Sequence, residues 1–401
     1  MQLADIQRAH EVLRGTVRHT PIRQSGTLDE MTGGHLHLKM ENAQLTGSFK
    51  VRGALNKLHT MEAAERARGV VAASAGNHAQ GVAFAARKAG VKCDIFMPEE
   101  ATLAKVVATR GYGATVHLVG RDYQEAYENA LRFQGTSGAT YVHAFDDLAI
   151  MAGQGTLGLE VVQDVPDIDT VLVPIGGGGL ISGVATAIKG LRPSVKVIGV
   201  QAEGASTIAP SLQKGRPVSL EAVETMADGI AVRNVGKLTW DIIRSRVDQV
   251  VTVNEGEIAA AILFLLERTK AVVEGAGAVT LAAAMHRKVD LKGAHACAIV
   301  SGGNIDMTLV SRIIRMGLVK EGRIAVIRAT ISDRPGGLAE FLTHLAKVKA
   351  SVIDLHHDRH RPGIPLNRTG VEVHVETRGP EHIEELRRSL KAAGYEAQVT
   401  A

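Results

Sequence analysis

Short apolar runs alternate with amphipathic helical patterns between about residue 35 and residue 303. Apolar strands that are each followed by an amphipathic helix predict parallel sheets covered on both faces. The runs outnumber the strands of one compact sheet, so the pattern predicts two α/β lobes. The predicted strands are "GVVAAS" (69–74), "VKCDIFMP" (91–98), "ATVHLVG" (114–120), "TVLVPIG" (170–176), "VKVIGVQA" (195–202), "QVVTVN" (249–254) and "AHACAIVSGG" (294–303).

The pattern changes after the helical stretch "IIRMGLVKEG". The remaining residues read as strand, helix, strand, strand, helix and strand, which is the order of an α+β ferredoxin-like unit. Pro380 and Gly394 stand at the start and the end of its second helix, where these residues are favoured. We therefore predict a main α/β region at 1–318, with a smaller lobe at about 48–138, and a separate domain at 323–401.

Composition narrows the class of protein. The 401 residues carry a net charge of only +4 and 3% aromatic residues, which does not favour binding to nucleic acid. Cys93 and Cys297 have no CxxC neighbourhood, so a reducing compartment is the simplest interpretation, with one long-range disulfide as the alternative. Neither a signal peptide nor a run of 18 uncharged apolar residues is evident, and we expect a cytoplasmic protein without membrane contact.

A run of four glycines lies in "PIGGGGLISG" (174–183), between a predicted strand and a predicted helix. Here backbone N–H groups can converge on a phosphate at the positive end of a helix. The spacing is not the dinucleotide fingerprint, and the Lys-Ser/Thr ending of a P-loop is missing. The run therefore predicts a phosphate site, but not one for a dinucleotide or a triphosphate; the alternative is a flexible turn.

Two further loops follow predicted strands and lie at the same kind of position. "SAGNHAQG" (74–81) offers backbone donors and an Asn side chain that can surround a carboxylate, or it simply caps the following helix. "SGGN" (301–304) offers a hydroxyl at the end of another strand. Ligands of such folds bind beyond the carboxyl ends of the strands, so we expect these loops to meet.

Lys50 lies between Phe49 and Val51, where a loop passes into a helix in "GSFKVRGA". An apolar setting lowers the pKa of a lysine and favours the reactive amine. Alone, Lys50 could be a surface lysine at a helix start. A reactive lysine combined with a phosphate cradle instead indicates pyridoxal phosphate, which carries a phosphate and condenses with an amine.

The motifs together resemble those of the fold-type II pyridoxal-phosphate enzymes, most closely the threonine dehydratases (threonine ammonia-lyases) that carry a C-terminal regulatory domain. "SFKVRGA", "SAGNHAQG", "PIGGGGL", "ADGIAV", "EGAGA" and "SGGN" occur in the order of that family and span nearly all of residues 1–318. The resemblance implies a carbon-nitrogen lyase that eliminates water from L-threonine to give 2-oxobutanoate and ammonia, and from L-serine to give pyruvate.

The resemblance also implies a role for each matching residue. Lys50 is the catalytic lysine that forms a Schiff base with the cofactor, and Ser301 bonds the pyridine nitrogen. A serine does not keep that nitrogen protonated, which favours β-elimination over transamination. The other implied cofactor contacts are Phe49, Asn77, Gly176, Gly177, Gly178, Gly179, Leu180, Gly229 and Glu274, and the implied substrate contacts are Ser74, Ala75, Gly76, Asn77 and His78.

The sequence departs from the racemase-like relatives at two places. Ala75 stands where serine racemases have a second acid/base serine, so we expect little racemisation. Glu203 has no second carboxylate nearby, so we predict no divalent metal site, and a monovalent cation stays open. His356, Asp358 and His360 would share a face of one strand, but a polar edge strand explains them without a metal.

Residues 323–401 resemble the ACT domains that bind amino acids at subunit interfaces. We therefore expect a homodimer or homotetramer whose activity responds to an amino-acid effector, with isoleucine as the first candidate; a domain that only aids assembly is the alternative. Rival functions are a related serine or 3-hydroxyaspartate dehydratase, and an amino-acid sensor with an inactive lyase half. An NAD-binding dehydrogenase lacks the required glycine spacing.

Overall fold

A computed structural model describes residues 1–360 and 362–400 of the chain. In chain order, its strands are β1 (Ile22–Gln24), β2 (His35–Met40), β3 (Val70–Ala73), β4 (Cys93–Met97), β5 (Thr115–Leu118), β6 (Thr140–Tyr141), β7 (Thr170–Pro174), β8 (Lys196–Ala202), β9 (Gln249–Val253), β10 (His295–Val300), β11 (Ile324–Ser332), β12 (Ser351–Asp358), β13 (Arg368–Glu376) and β14 (Glu396–Thr400).

The α-helices are α1 (Leu3–Leu13), α2 (Gly26–Thr32), α3 (Lys50–Thr60), α4 (Ala63–Arg68), α5 (Asn77–Ala89), α6 (Leu103–Gly111), α7 (Tyr123–Ser137), α8 (Leu148–Asp164), α9 (Gly179–Leu191), α10 (Ile208–Lys214), α11 (Lys237–Arg246), α12 (Glu255–Phe264), α13 (Gly275–Met285), α14 (Met307–Lys320), α15 (Gly337–Lys347) and α16 (Pro380–Ala392). Short 3₁₀ turns cover Glu41–Ala43, Glu203–Ala205 and Asp228–Ile230, and a π-helical turn covers Leu265–Thr269.

The chain divides into two compact units, Met1–Asp306 and Met307–Ala401. The sequence placed α14 with the main region, at 1–318, whereas the structure groups this helix with the C-terminal unit. A hydrogen bond of 2.8 Å from the Arg315 guanidinium to His374 Nδ1 links α14 to β13. An amphipathic helix does not reveal by itself which of two neighbouring sheets it joins, so the pattern left this boundary open.

The first unit contains the two predicted lobes, each with its own sheet. The larger sheet has the order β1-β2-β10-β7-β8-β9 and is parallel except for the pairing of β1 with β2. The smaller sheet has the order β5-β4-β3-β6 and is parallel throughout. Strand β6 extends the smaller lobe past residue 138. Helices bury the apolar side chains of both sheets.

Three strands were not predicted, namely β1, β2 and β6. In β2, "HLHLKM", histidine and lysine interrupt the apolar pattern, yet Lys39 is fully buried. Its ammonium lies 2.7 Å from a Glu160 carboxylate oxygen and 2.8 Å from one of Asp164, both on α8. A lysine with such partners can be buried, but sequence periodicity does not show the partners.

The second unit confirms the strand and helix order predicted for residues 323–401. Its antiparallel sheet has the order β12-β13-β11-β14, and α15 and α16 pack their apolar side chains on one face. Pro380 begins α16, and Gly394 follows its end with a φ of +78°. Strand β12 is an edge strand that ends at Asp358, so His360 lies outside it and does not share its face.

Candidate active site

A cavity of about 870 Å³ opens beyond the carboxyl ends of β3, β7 and β10. Because β3 belongs to the smaller sheet and the other two to the larger sheet, both lobes contribute to its wall. Every site residue predicted from the sequence lines this one cavity: Phe49, Lys50, Ser74, Ala75, Gly76, Asn77, His78, Gly176, Gly177, Gly178, Gly179, Leu180, Gly229, Glu274 and Ser301.

Lys50 is the first residue of α3, and its amine reaches into the cavity. Lys50 Nζ donates a hydrogen bond of 3.0 Å to the Ala144 carbonyl and lies 5.3 Å from the centre of the Phe49 ring. Burial lowers the pKa of this amine to about 8, and the Glu274 carboxylate opposes part of the shift. A substantial share of Lys50 is therefore neutral and nucleophilic in mildly alkaline solution.

The glycine run, Gly176 to Gly179, lies so close to neighbouring residues that no side chain would fit at several of its positions. A Cβ on Gly177 would lie 2.3 Å from the Phe145 ring, and one on Gly179 would lie 2.9 Å from the Phe145 backbone. A Cβ on Gly176 would lie 2.9 Å from Ile230 Cα. Gly178 has a φ of +92°, a left-handed conformation that favours glycine.

Helix α9 starts at the end of this run without a side-chain cap, since its first flanking residue is Gly178. The first N–H groups of a helix have no partner within the helix and attract anions. Helix α11 begins nearby, but Asp146 accepts its first backbone N–H groups at 2.9 to 3.2 Å. The start of α9 thus remains open to an anion, whereas that of α11 is already capped.

The stretch "SAGNH" (74–78), here called the asparagine loop, leads into a second uncapped helix start. Helix α5 begins at Asn77 after Gly76, and no side chain caps it; Ser74 Oγ instead accepts the Gly76 N–H at 3.2 Å. His78 lies within hydrogen-bond distance of the Val142 carbonyl, with Nε2 2.8 Å away, and burial lowers its pKa to about 3. Because the His78 ring is neutral, this loop offers a carboxylate backbone N–H groups and the Ser74 hydroxyl instead of a positive charge.

A chain of amides holds Glu274 at the cavity wall. Asn77 Nδ2 donates to Glu274 Oε1 at 2.7 Å, and Asn304 Nδ2 donates to Asn77 Oδ1 at 2.7 Å. Burial raises the pKa of the Glu274 carboxyl to about 7, and the nearby Asp228 carboxylate adds to the shift, which the Asn77 amide opposes. Glu274 therefore exchanges its proton near neutral pH.

Ser301 lines the cavity directly after the end of β10. It is 2% exposed, and its hydroxyl donates to the Ala276 carbonyl at 3.2 Å. The Ser301 carbonyl accepts the Phe49 N–H at 3.1 Å and so links β10 to the segment before Lys50. A Cβ on Gly229 would lie 2.9 Å from Ala276 Cβ, which makes this part of the wall flat.

Sequence reasoning missed several residues of the cavity. Ala144 and Phe145 follow the short strand β6, and the stretch "HAFDD" carries no recognisable motif. Asn304 belongs to the quoted "SGGN" loop, but its amide contacts were not predicted. Lys105 and Asp228 form an ion pair of 2.6 Å between α6 and the turn Asp228–Ile230. The spacing along the chain could not show that these two residues meet.

The sequence profile of the family described as "Pyridoxal-phosphate dependent enzyme" matches residues 13–302. The chain belongs to this family. The match covers the strands of both lobes and every cavity residue except Asn304, and the family depends on pyridoxal phosphate. The wall fits that group, because the glycine run and the open start of α9 can hold a phosphate, while Lys50 presents a largely buried amine.

Individual members of the family extend the similarity. The chain is 50% identical over 397 residues to an L-threonine ammonia-lyase of Thermotoga maritima, which covers 99% of each chain and includes the C-terminal unit. A solved threonine deaminase isoform 2 of Solanum lycopersicum shares 36% identity and a TM-score of 0.75, covering 79% of this chain and 87% of its own. A solved serine racemase of maize shares 34% identity and a TM-score of 0.75, and the match covers 79% of this chain and 98% of the racemase.

Two further findings apply to residues 1–360 and 362–400. No helix there has both the length and the apolar character needed to cross a membrane. In the same residues, no group of three or more His, Cys, Asp or Glu side chains is arranged to hold a metal ion. Cys93 and Cys297 are both buried and free, so the alternative of a disulfide between them was wrong.

Proposed function

We propose that this member of the pyridoxal-phosphate family deaminates L-threonine to 2-oxobutanoate and ammonia, and L-serine to pyruvate and ammonia. One observation carries the proposal. The Lys50 amine, with its lowered pKa, shares one cavity with two separate anion sites, the glycine run before α9 and the uncapped start of α5. A cofactor phosphate and a substrate carboxylate can therefore bind in the same cavity as the reactive amine.

Bound pyridoxal phosphate supplies an aldehyde that condenses with amines and a ring that withdraws electrons from the substrate Cα. Gly176 to Gly179 and Leu180 would hold the phosphate through backbone N–H groups, and Phe49 would pack against the ring. Asn77 and Ser301 would orient the ring through hydrogen bonds, and Gly229 leaves room beside it. The backbone of residues 74–78 would bind the substrate carboxylate.

Lys50 is the group placed to move the proton. As a neutral amine, Lys50 Nζ takes the proton from the substrate Cα, and the β-hydroxyl leaves as water after gaining a proton. The enamine released reacts with one water in solution to give the oxo acid and ammonia, so the net reaction of threonine yields 2-oxobutanoate and ammonia. Ser301 would meet the ring nitrogen with a neutral hydroxyl instead of a carboxylate, an environment that would favour elimination over transamination.

Steady-state assays on the purified holoenzyme test this function. We expect the release of oxo acid and ammonia from L-threonine and L-serine. 3-Hydroxyaspartate is assayed alongside them as the substrate of the rival function. A preference for 3-hydroxyaspartate would assign the chain to the rival dehydratase class, and no turnover of any hydroxy amino acid would support the sensor alternative. Chiral analysis of the remaining serine should show negligible D-serine, because Ala75 provides no second base.

The pH dependence of Lys50 gives a prediction about the wild-type protein. A base whose pKa is lowered to about 8 is mostly protonated at pH 7 and mostly neutral at pH 9. The rate at which the cofactor-free protein captures pyridoxal phosphate on Lys50 should therefore rise about tenfold over that range. Borohydride trapping followed by mass spectrometry measures this rate. A midpoint near the ordinary lysine value would contradict the burial of the amine.

Glu274→Gln provides the matching variant for this prediction. The Glu274 carboxylate favours the charged form of Lys50, so its removal should shift the midpoint to lower pH. Glu128→Gln, on the exposed face of α7, is the control and should leave the midpoint unchanged. An upward shift in Glu274→Gln would show that the sign of this interaction is wrong.

We propose that the C-terminal unit is an ACT-like regulatory domain and that the enzyme is a cytoplasmic homodimer or homotetramer. The ferredoxin-like order of this unit and its turn before α15 support the proposal. Gly336 has a φ of +90°, and a Cβ on Gly337 would lie 2.3 Å from the Ser332 carbonyl, so the turn brings backbone close to backbone at a helix start. An amino-acid carboxylate fits such a position.

Calorimetry of the intact protein with a panel of amino acids tests the regulatory role, with isoleucine first. We expect binding and a parallel change in the kinetics, typically worth about 1–3 kcal/mol of coupling. Sedimentation of the protein with and without the amino acid measures its oligomeric state. Absence of binding by every amino acid, with unchanged kinetics, would leave the domain a role in assembly alone.

A further inference from the structure

Arg52 lies two residues after Lys50 and is completely buried. Each of its five N–H donors has an acceptor. The guanidinium forks onto Glu41 with two hydrogen bonds of 2.8 Å, and its Nη1 donates to Glu160 at 2.6 Å and to Thr156 at 3.2 Å. Nη2 also donates to the Arg18 carbonyl at 3.3 Å. Such complete use of the planar fork fixes the guanidinium in one orientation.

The position of Arg52 is unfavourable for the helix itself. It occupies the first turn of α3, where a positive charge opposes the helix dipole, and Lys50 adds a second cation to the same turn. No side chain caps this helix start. The buried carboxylates of Glu41 and Glu160 offset the charge, so the first turn is held by the guanidinium instead of by a cap.

The partners of Arg52 belong to separate segments around the cavity. Glu41 follows β2 directly, whereas Glu160 lies on α8. Lys39, fully buried on β2, bridges Glu160 and Asp164 of α8 and donates to the Thr20 carbonyl at 2.7 Å. The ion pairs thus join β2, α3 and α8 in one buried network.

The acceptor of the Lys50 amine lies in the loop that leads into α8, the helix that carries Glu160. Ala144, whose carbonyl receives the Lys50 amine, lies four residues before α8 begins at Leu148. A buried ion-pair network gives little net stability compared with apolar packing of the same volume, but it restricts geometry strongly. Arg52 therefore fixes the position of the first turn of α3, which carries Lys50, relative to the segment whose Ala144 carbonyl accepts the hydrogen bond from the Lys50 amine.

We propose that Arg52 is a positioning residue for the reaction: through Glu41 and Glu160 it fixes the first turn of α3 so that the Lys50 amine points into the cavity. This inference rests on the proposed role of Lys50. Arg52 itself touches neither substrate nor cofactor, because it does not line the cavity and is fully buried behind the wall.

Arg52→Lys tests the proposal, because it keeps the charge but loses the fork that spans two carboxylates. We expect a folded holoenzyme whose kcat falls between about tenfold and 10²-fold, as for a misplacement near 1 Å, with a smaller change in KM. In the cofactor-free protein, competitive labelling followed by mass spectrometry should show the pKa of Lys50 rising toward its ordinary value, since a released turn exposes the amine to water.

Lys57→Gln is the matched control. It also breaks an ion pair between α3 and the start of α8, that of Lys57 with Asp147 at 2.6 Å, but at the other end of α3. Its kcat and the pKa of its Lys50 should stay at wild-type values. Equal effects in both variants would reduce Arg52 to general helix packing and overturn the proposal, as would unchanged Lys50 labelling in Arg52→Lys.

Thr156→Val keeps the test decisive if Arg52→Lys does not fold. The substitution removes one acceptor of the guanidinium at nearly constant volume. As in Arg52→Lys, the pKa of Lys50 should rise and kcat should fall, but both by a smaller amount. A folded Thr156→Val protein with the labelling and kinetics of the wild type would then overturn the proposal. If Lys50→Ala retained turnover, the proposed role of Lys50 would fail first, which separates the two hypotheses.

Discussion

Replacing Lys50 with alanine should reduce the turnover of L-threonine by several orders of magnitude, because the variant loses both the amine that binds the cofactor covalently and the base for the Cα proton. The cavity wall keeps its glycine run, so the variant should still bind pyridoxal phosphate noncovalently. Absorbance titration with the cofactor and oxo-acid assays measure the two properties separately. Borohydride should leave no stable adduct in this variant.

Two further variants separate the chemistry of Lys50 from its charge. Lys50→Arg keeps a cation at the same helix start but offers no nucleophilic amine, and it should be as inactive as Lys50→Ala. Lys57→Ala removes another lysine of α3 that does not line the cavity, and it should retain activity. Substantial turnover in either Lys50 variant would show that another group carries the reaction.

Gly177→Ala should weaken the binding of pyridoxal phosphate by about 5- to 150-fold, which is the effect of an overpacking cost of about 1–3 kcal/mol. The added Cβ would lie 2.3 Å from Phe145 Cδ1, so either the ring or the glycine run has to move. The Gly177 carbonyl also accepts the Thr239 hydroxyl at 2.8 Å, which limits the movement of the run. Equilibrium dialysis of the cofactor measures the loss.

Gly135→Ala is the control for this substitution, since its Cβ would meet nothing within 4 Å on helix α7. Alanine is the better helix former, so this variant should be as stable as the wild type or slightly more stable, with unchanged cofactor affinity. If Gly177→Ala bound the cofactor as tightly as Gly135→Ala, the close approach of Phe145 would not matter for the site.

Much of the fold was present in the local pattern. The seven predicted strands appear as β3, β4, β5, β7, β8, β9 and β10, because short runs rich in β-branched residues that alternate with amphipathic helices are typical of parallel sheets. Strand β2 escaped prediction because its buried Lys39 is paired with carboxylates that lie over a hundred residues away in the chain. The predicted boundary at 318 and the division after Asp306 differ in where they group α14, because an amphipathic helix fits either unit.

The sequence by itself determined part of the cavity wall, because Lys50, the asparagine loop, the glycine run and Ser301 each lie in a local motif at the end of a strand or the start of a helix. The tertiary structure decided the environment of those groups. The lowered pKa of Lys50, the raised pKa of Glu274 and the enclosure of Arg52 by Glu41 and Glu160 all depend on burial and on charges from distant segments. Such distances are set only when the two sheets and their helices pack together, and no local pattern contains them.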